Sequence, residues 1–141
     1  MIILPIFEKP TQYSFANSDH IKKTVKKYTK RDLILINKFD SQKFHMKNGI
    51  DFVDNEHADY YHIHNSLHLI DDSKNSPMYN LVLKDMGFTD PKELKKTIRY
   101  ETIIYPIIKA ITRTAMYFDK EETYHYVLDL ETAEDIIKLF K

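Results

Sequence analysis

Cysteine is absent from the 141 residues. That removes disulfides, cysteine-ligated zinc, iron–sulfur clusters and thiol nucleophiles from consideration. Glycine occurs only twice. A loop that cradles phosphates on its backbone N–H groups needs several glycines, so no nucleotide cofactor is expected. No stretch approaches the roughly 18 uninterrupted apolar residues that a membrane-crossing helix requires. The run Met1–Phe7 has no basic start and is ended by Glu8-Lys9-Pro10, so it does not read as a signal peptide. These shortages point to a cytoplasmic protein with no membrane partner.

What is present is apolar and aromatic. Hydrophobic residues make up 43% of the chain, with ten Tyr and eight Phe, which a disordered chain lacks. A single domain of this length buries roughly 68% of its unfolded surface, enough to fold without staples. Residues 1–141 therefore read as one domain. Lys, Ile, Asn and Tyr are abundant and have AT-rich codons, which suits a low-GC bacterium, its phage or its plasmid.

Formal charge is zero, with 21 basic and 21 acidic residues. The balance conceals segregation. Residues 20–47 carry nine Lys and Arg against Asp32 and Asp40. Residues 50–73 carry six acids and no Lys or Arg, and residues 119–135 carry seven acids against Lys120 alone. Such blocks either neutralise one another after folding or make charged faces that steer partners.

The pattern predicts an α+β domain: a small, mostly antiparallel sheet packed with about five helices. Strands are expected near 2–7, 33–36 and 124–130, with Pro5 placing the first at an edge. A helix from Ser18 to about Lys30 puts Ile21, Val25 and Tyr28 on one face. Residues 54–71 suit a helix, because Tyr60, Ile63, Leu67 and Ile70 recur at helical spacing, with a hairpin turning at Asn65-Ser66 as the alternative. Ser76-Pro77 starts a helix that Gly87 ends, and Asp90-Pro91 starts another. The latter is apolar almost all round at Ile103, Ile104 and Ile107, which makes it the central helix, and Pro106 must kink or split it. Thr132 is expected to cap a last helix with Ile136, Ile137 and Phe140 inward.

Three constellations could carry chemistry. Histidines cluster at His57, His62, His64 and His68. In a helix His57, His64 and His68 share a stripe that could hold a divalent metal ion, the only cofactor these residues suggest. Without metal, His62 and His64 with Tyr61 could act as general acid and base in phosphodiester cleavage. His64-Asn65-Ser66 also resembles the His-x-Ser element of two-histidine phosphoesterases, but His125-Tyr126-Val127 does not supply the second copy. The basic helix offers Lys22, Lys23, Lys26, Lys27 and Arg31 to phosphates, although one Arg provides little base readout. Glu121 and Glu122 lead the acidic block that would face a basic protein. The helices meeting at Gly87 outline a helix-turn-helix, but Glu93 falls where that motif needs an apolar residue, so a structural corner is the better reading.

The expectation is a small regulator or inhibitor, of phage or mobile-element type or part of a toxin–antitoxin pair, acting through a macromolecular partner. A protein partner is favoured, with nucleic acid on the basic helix as the second option and oligomeric state left open. A histidine-dependent nuclease or phosphodiesterase is the alternative function, and a DNA-binding regulator the third.

Overall fold

A computed structural model describes residues 1–8, 18–29, 32–39, 43–54, 60–70, 77–87, 89–117 and 122–140. The strands are β1 (Ile2–Phe7), β2 (Ile34–Asn37), β3 (Gly49–Asp51), β4 (Asn65–His68) and β5 (Tyr124–Asp129). The α-helices are α1 (Ser18–Thr29), α2 (Pro77–Asp85), α3 (Pro91–Arg99), α4 (Tyr105–Ile111) and α5 (Leu130–Leu139). A π-helical segment, Tyr100–Ile104, joins α3 to α4 end to end, so residues 91–111 form one rod. Counted as bodies, four helices lie among the described residues.

The sheet has five strands in the order β1-β5-β4-β2-β3, and every pair is parallel. This overturns the expected mostly antiparallel sheet with about five helices. The cause lies in burial. Central strands of a parallel sheet are covered on both faces, so they do not alternate. All of Ile34–Asn37 is buried, as is all of Asn65–His68. Residues 54–71 correct the reading further. Tyr61-His62 make a turn and Asn65–His68 is a central strand, neither helix nor hairpin, with residues 55–59 and 71 outside those described. The helical spacing was accidental, since Tyr60 and Ile63 pack with Leu35, Leu67 packs on one sheet face, and Ile70 on the other.

Two layers of helix cover the sheet. Ile21 and Val25 of α1 pack on Ile34, Ile36, Leu67, Tyr126 and Leu128. The rod and α5 cover the opposite face, where Ile103, Ile104, Ile107, Ile111, Ala133 and Ile136 meet Ile3 and Val127. The chain crosses from β1 outward to β2 through α1, and returns from β4 to β5 through the rod. Right-handed crossovers running in opposite directions place their helices on opposite faces. Consequently the chain leaves β2 and β4 toward different sides, and their carboxyl ends form a topological switch point.

Local signals account for most boundaries. Pro5 sits in β1, whose sole sheet neighbour is β5. Gly87 takes the left-handed conformation, φ 100°, just past α2. The Asp90 carboxylate accepts the Lys92 N–H at 3.0 Å and Pro91 opens α3. Gly49 is favoured by contact rather than by φ, because a Cβ there would press on the Ile36 side chain and lie 3.1 Å from the Met46 carbonyl. Two expectations shift. Asp129, not Thr132, caps α5, accepting the Thr132 N–H at 2.9 Å and its hydroxyl at 3.0 Å. Ile137 is exposed, and only Ile136 of the expected trio is fully buried.

Helical structure runs from α3 through the π segment and past Pro106 into α4. A proline removes one N–H and crowds the preceding turn. The π segment just ahead of it is wider, with the Tyr105 N–H bonding to the Tyr100 carbonyl, and helical structure continues through.

The rod's inner face sets a direct test. Ile107→Asp, which places an unpaired carboxylate on a side chain 1% exposed, should cost more than about 4 kcal/mol and abolish the cooperative melt in circular dichroism. Ile137→Asp, at 39% exposure, should leave the melt within a few degrees of wild type.

Candidate functional site

The predicted histidines do not gather. Tyr61 and His62 are exposed in the turn before β4, His64 is half-buried, and His68 is fully buried at the end of β4. His57 lies outside the described residues. Among the described residues no three His, Asp or Glu side chains are arranged to hold a metal ion.

A different pair converges. His68 and His125 lie on the rod-facing side of β4 and β5, their ring centres 6.5 Å apart, with Ser66 between them. All three are 0% exposed. Register explains the meeting: Ser66 pairs with His125 across β4 and β5, and Asn37 pairs with His68 across β2 and β4.

The direction of each hydrogen bond follows from one carbonyl. The Asn37 side-chain nitrogen lies 3.3 Å from the Pro106 carbonyl and 3.1 Å from His68 Nδ1. A carbonyl only accepts, so this atom is the amide NH2 and His68 Nδ1 is an acceptor. The His68 proton therefore sits on Nε2 and is donated to Ser66 Oγ at 2.6 Å. The Ser66 hydroxyl then donates to His125 Nδ1 at 2.5 Å, and His125 Nε2 donates to Thr123 Oγ1 at 3.0 Å. The chain runs one way from β2 to the start of β5 with every donor matched.

That direction decides the chemistry. Ser66, His68 and Asn37 have the outline of a nucleophile, base and orienting amide. A general base must accept the hydroxyl proton; here His68 donates to the serine, and it is His125 Nδ1 that accepts from it. The Oγ is also sealed from solvent. The cluster is an organising network, and its histidines are held neutral. Burial pushes His68 well below the ordinary histidine range, and His125 adds to the effect. Burial, followed by the positive Met1 amino group, lowers His125 to about 3. Protonating His68 would turn Nδ1 against the Asn37 N–H, a second reason to stay neutral.

Asn37 and His68 also close the switch point, where parallel α/β sheets commonly bind ligands. Both side chains are committed to each other and to Pro106. A separate exposed surface lies on the α1 face.

Phe44 and Met46 join the core cluster of Ile21 and Val25. Residues 43–47 therefore alternate, with Phe44 and Met46 inward and Lys43, His45 and Lys47 exposed beside α1. Lys23, Lys26 and Lys27 are exposed along α1, and the Lys22 ammonium lies 5.6 Å from the centre of the Phe44 ring. The helix and the extended segment thus present one continuous basic face. Lys23, Lys26, Lys43 and Lys47 make no ion pair among the described residues. Arg31 lies outside the described residues, as does Glu121.

Some acids of each block pair with cations of the chain itself. Glu122 pairs with the Met1 ammonium, Asp54 with Lys109, and Asp135 with Arg99 at 3.0 Å. Sequence reasoning reached the lysines of α1 but missed Ser66, His125, Asn37 and the 43–47 contribution. Two signals were readable: polar residues set within or against apolar runs in Ser66–Ile70 and His125–Leu128, and apolar alternation at Phe44 and Met46.

Comparison with protein-family models, with curated proteins and with solved structures gives no match. No helix among the described residues is long and apolar enough to cross a membrane.

The histidine network predicts how stability responds to acid. The folded pKa values lie below the unfolded value of about 6.5, so the unfolded chain takes up protons first as pH falls. The contribution is intact above that value and is lost progressively toward about 3, the folded value of His125. Each histidine should remove up to about 1.4 kcal/mol of unfolding free energy per pH unit in that window. Urea titrations at several pH values should show His125→Gln with a shallower slope than wild type, by about one proton. Identical slopes would contradict the assignment. At neutral pH, Ser66→Ala should cost at least about 2 kcal/mol, since it strands a donor on His68 and an acceptor on His125.

Proposed function

We propose that this chain is a small binding protein that acts through nucleic acid, held on the basic face of α1 and residues 43–47. The observation that carries the reading is the convergence of Lys22, Lys23, Lys26, Lys43 and Lys47 on one surface, against Asp19 at the start of α1. Ammonium groups along a helix and a parallel extended segment can track a phosphate backbone, and releasing its counterions supplies the affinity. This reverses the preference for a basic protein partner, because Glu122, Asp135 and Asp54 pair with Met1, Arg99 and Lys109 while these lysines make no ion pair among the described residues. Lysines act as point charges and do not read base edges bidentately. Recognition is therefore of the backbone, and the protein is a regulator or inhibitor that occupies nucleic acid without reading its sequence.

The test is fluorescence anisotropy with labelled duplex DNA and with single-stranded RNA over a salt series. Wild type should bind, with log K falling against log salt at a slope of about −4 for DNA. Changing Lys23, Lys26, Lys43 and Lys47 to Glu should abolish binding without lowering the melting temperature by more than a few degrees. Changing Glu131 and Glu134 to Lys should leave binding intact. Undetectable binding by folded wild type near physiological salt would overturn the proposal and return the basic face to an acidic protein partner.

A further inference from the structure

Helix α3 contains no buried residue, although Leu94 and Ile98 lie on one stripe of it. The rod enters the core from its π segment onward, where Ile103 and Ile104 are buried, followed by Ile107, Ala110 and Ile111 of α4. Between α3 and α5 this leaves a groove of about 450 Å³, a volume typical of small-molecule sites.

Spacing shows why the two helices do not close on each other. Lys96, Tyr100 and Ile104 follow one another at four-residue intervals and face the groove from the rod, while Lys138 and Leu139 face it from α5. Positions that would interlock if apolar are lysines here, and two lysines repel. Arg99 holds the helices at this separation. Its Nε donates to Asp135 at 3.0 Å and a terminal nitrogen donates to Thr132 Oγ1 at 3.0 Å, so its charge is already matched.

The remaining charges define the ligand. Lys96 and Lys138 have no ion pair among the described residues. Glu93, the one other lining acid besides Asp135, sits in the first turn of α3, where the helix dipole favours its charge. The apolar surface comes from Ile104, Leu139 and Tyr100. Leu139 is 53% exposed, a large apolar group left in water.

We infer that this groove binds a small amphipathic anion: an apolar body against Ile104, Tyr100 and Leu139, with one carboxylate or sulfonate between Lys96 and Lys138. The site lies on the rod and α5, on the opposite side of the sheet from the basic face, and does not depend on nucleic-acid binding.

The probe is 8-anilinonaphthalene-1-sulfonate, an apolar ring system with one sulfonate, displaced in turn by decanoate and by decanol. Decanoate should displace it from folded wild type at a concentration at least tenfold below that of decanol. The double variant Lys96→Glu, Lys138→Glu should need about tenfold more decanoate and the same amount of decanol. Lys138→Gln serves if the double variant melts early, and should show about a threefold loss. The variant with Lys23, Lys26, Lys43 and Lys47 changed to Glu should keep the wild-type displacement curve. Equal displacement by acid and alcohol, no response to the Lys96 and Lys138 changes, or loss of binding in the α1-face variant would each overturn the inference.

Discussion

One hydrogen-bonded chain ties the three middle strands together and fastens the rod to them. It starts at the Pro106 carbonyl and passes through Asn37, His68, Ser66 and His125 to Thr123. Backbone ladders alone tolerate a one-residue slip, but a slip exchanges the two faces of a strand. In β4 it would move Ser66 and His68 into the apolar layer of Ile21 and Val25, with no partners, and Leu67 into the polar row. The polar row therefore fixes the register of β2, β4 and β5. Pro106 extends that control to the helical layer, because its carbonyl must reach Asn37 for the tautomers to agree. Where the rod lies decides where α3 stands relative to α5, and hence whether a groove exists between them.

Charge is divided between the two helical layers by the same topology. Opposite crossover directions send α1 to one side and the rod with α5 to the other. The rod brings Arg99 and Lys109 to the carboxylates of α5 and of the segment after β3. Lys23 and Lys26 of α1 are exposed and make no ion pair among the described residues. A net charge of zero thus coexists with one face dominated by cations, and the quantity that matters for encounter is the local field of that face.

What could be read from the sequence was set by local physics. The Asp90-Pro91 start, the Gly87 stop, the edge position of Pro5 and the lysine face of α1 each depend on a few neighbouring residues. The parallel sheet was hidden because Ile34–Asn37 and Asn65–His68 are four residues each and buried throughout. So short a run has neither alternation nor length to separate it from a helix. Tyr60, Ile63, Leu67 and Ile70 imitated helical spacing while belonging to three separate clusters. Histidine density was also misleading. Of the clustered His62, His64 and His68, only His68 joins the buried network, and its partner histidine, His125, comes from a strand distant in sequence.

The pairing of β1 with β5 has a consequence for how the chain is made. Ile2 finds its partner at Tyr124 and Phe7 at Asp129, so the earliest of these strands to leave the ribosome waits for the latest. Until then an apolar hexapeptide, Ile-Ile-Leu-Pro-Ile-Phe, is held without its ladder. Such a segment is a template for adding strands from other chains. Pro5 withholds an N–H from one edge of it and weakens an intermolecular ladder on that edge. The residue that marks β1 as an edge in the finished fold thus also protects the nascent chain from aggregation during synthesis.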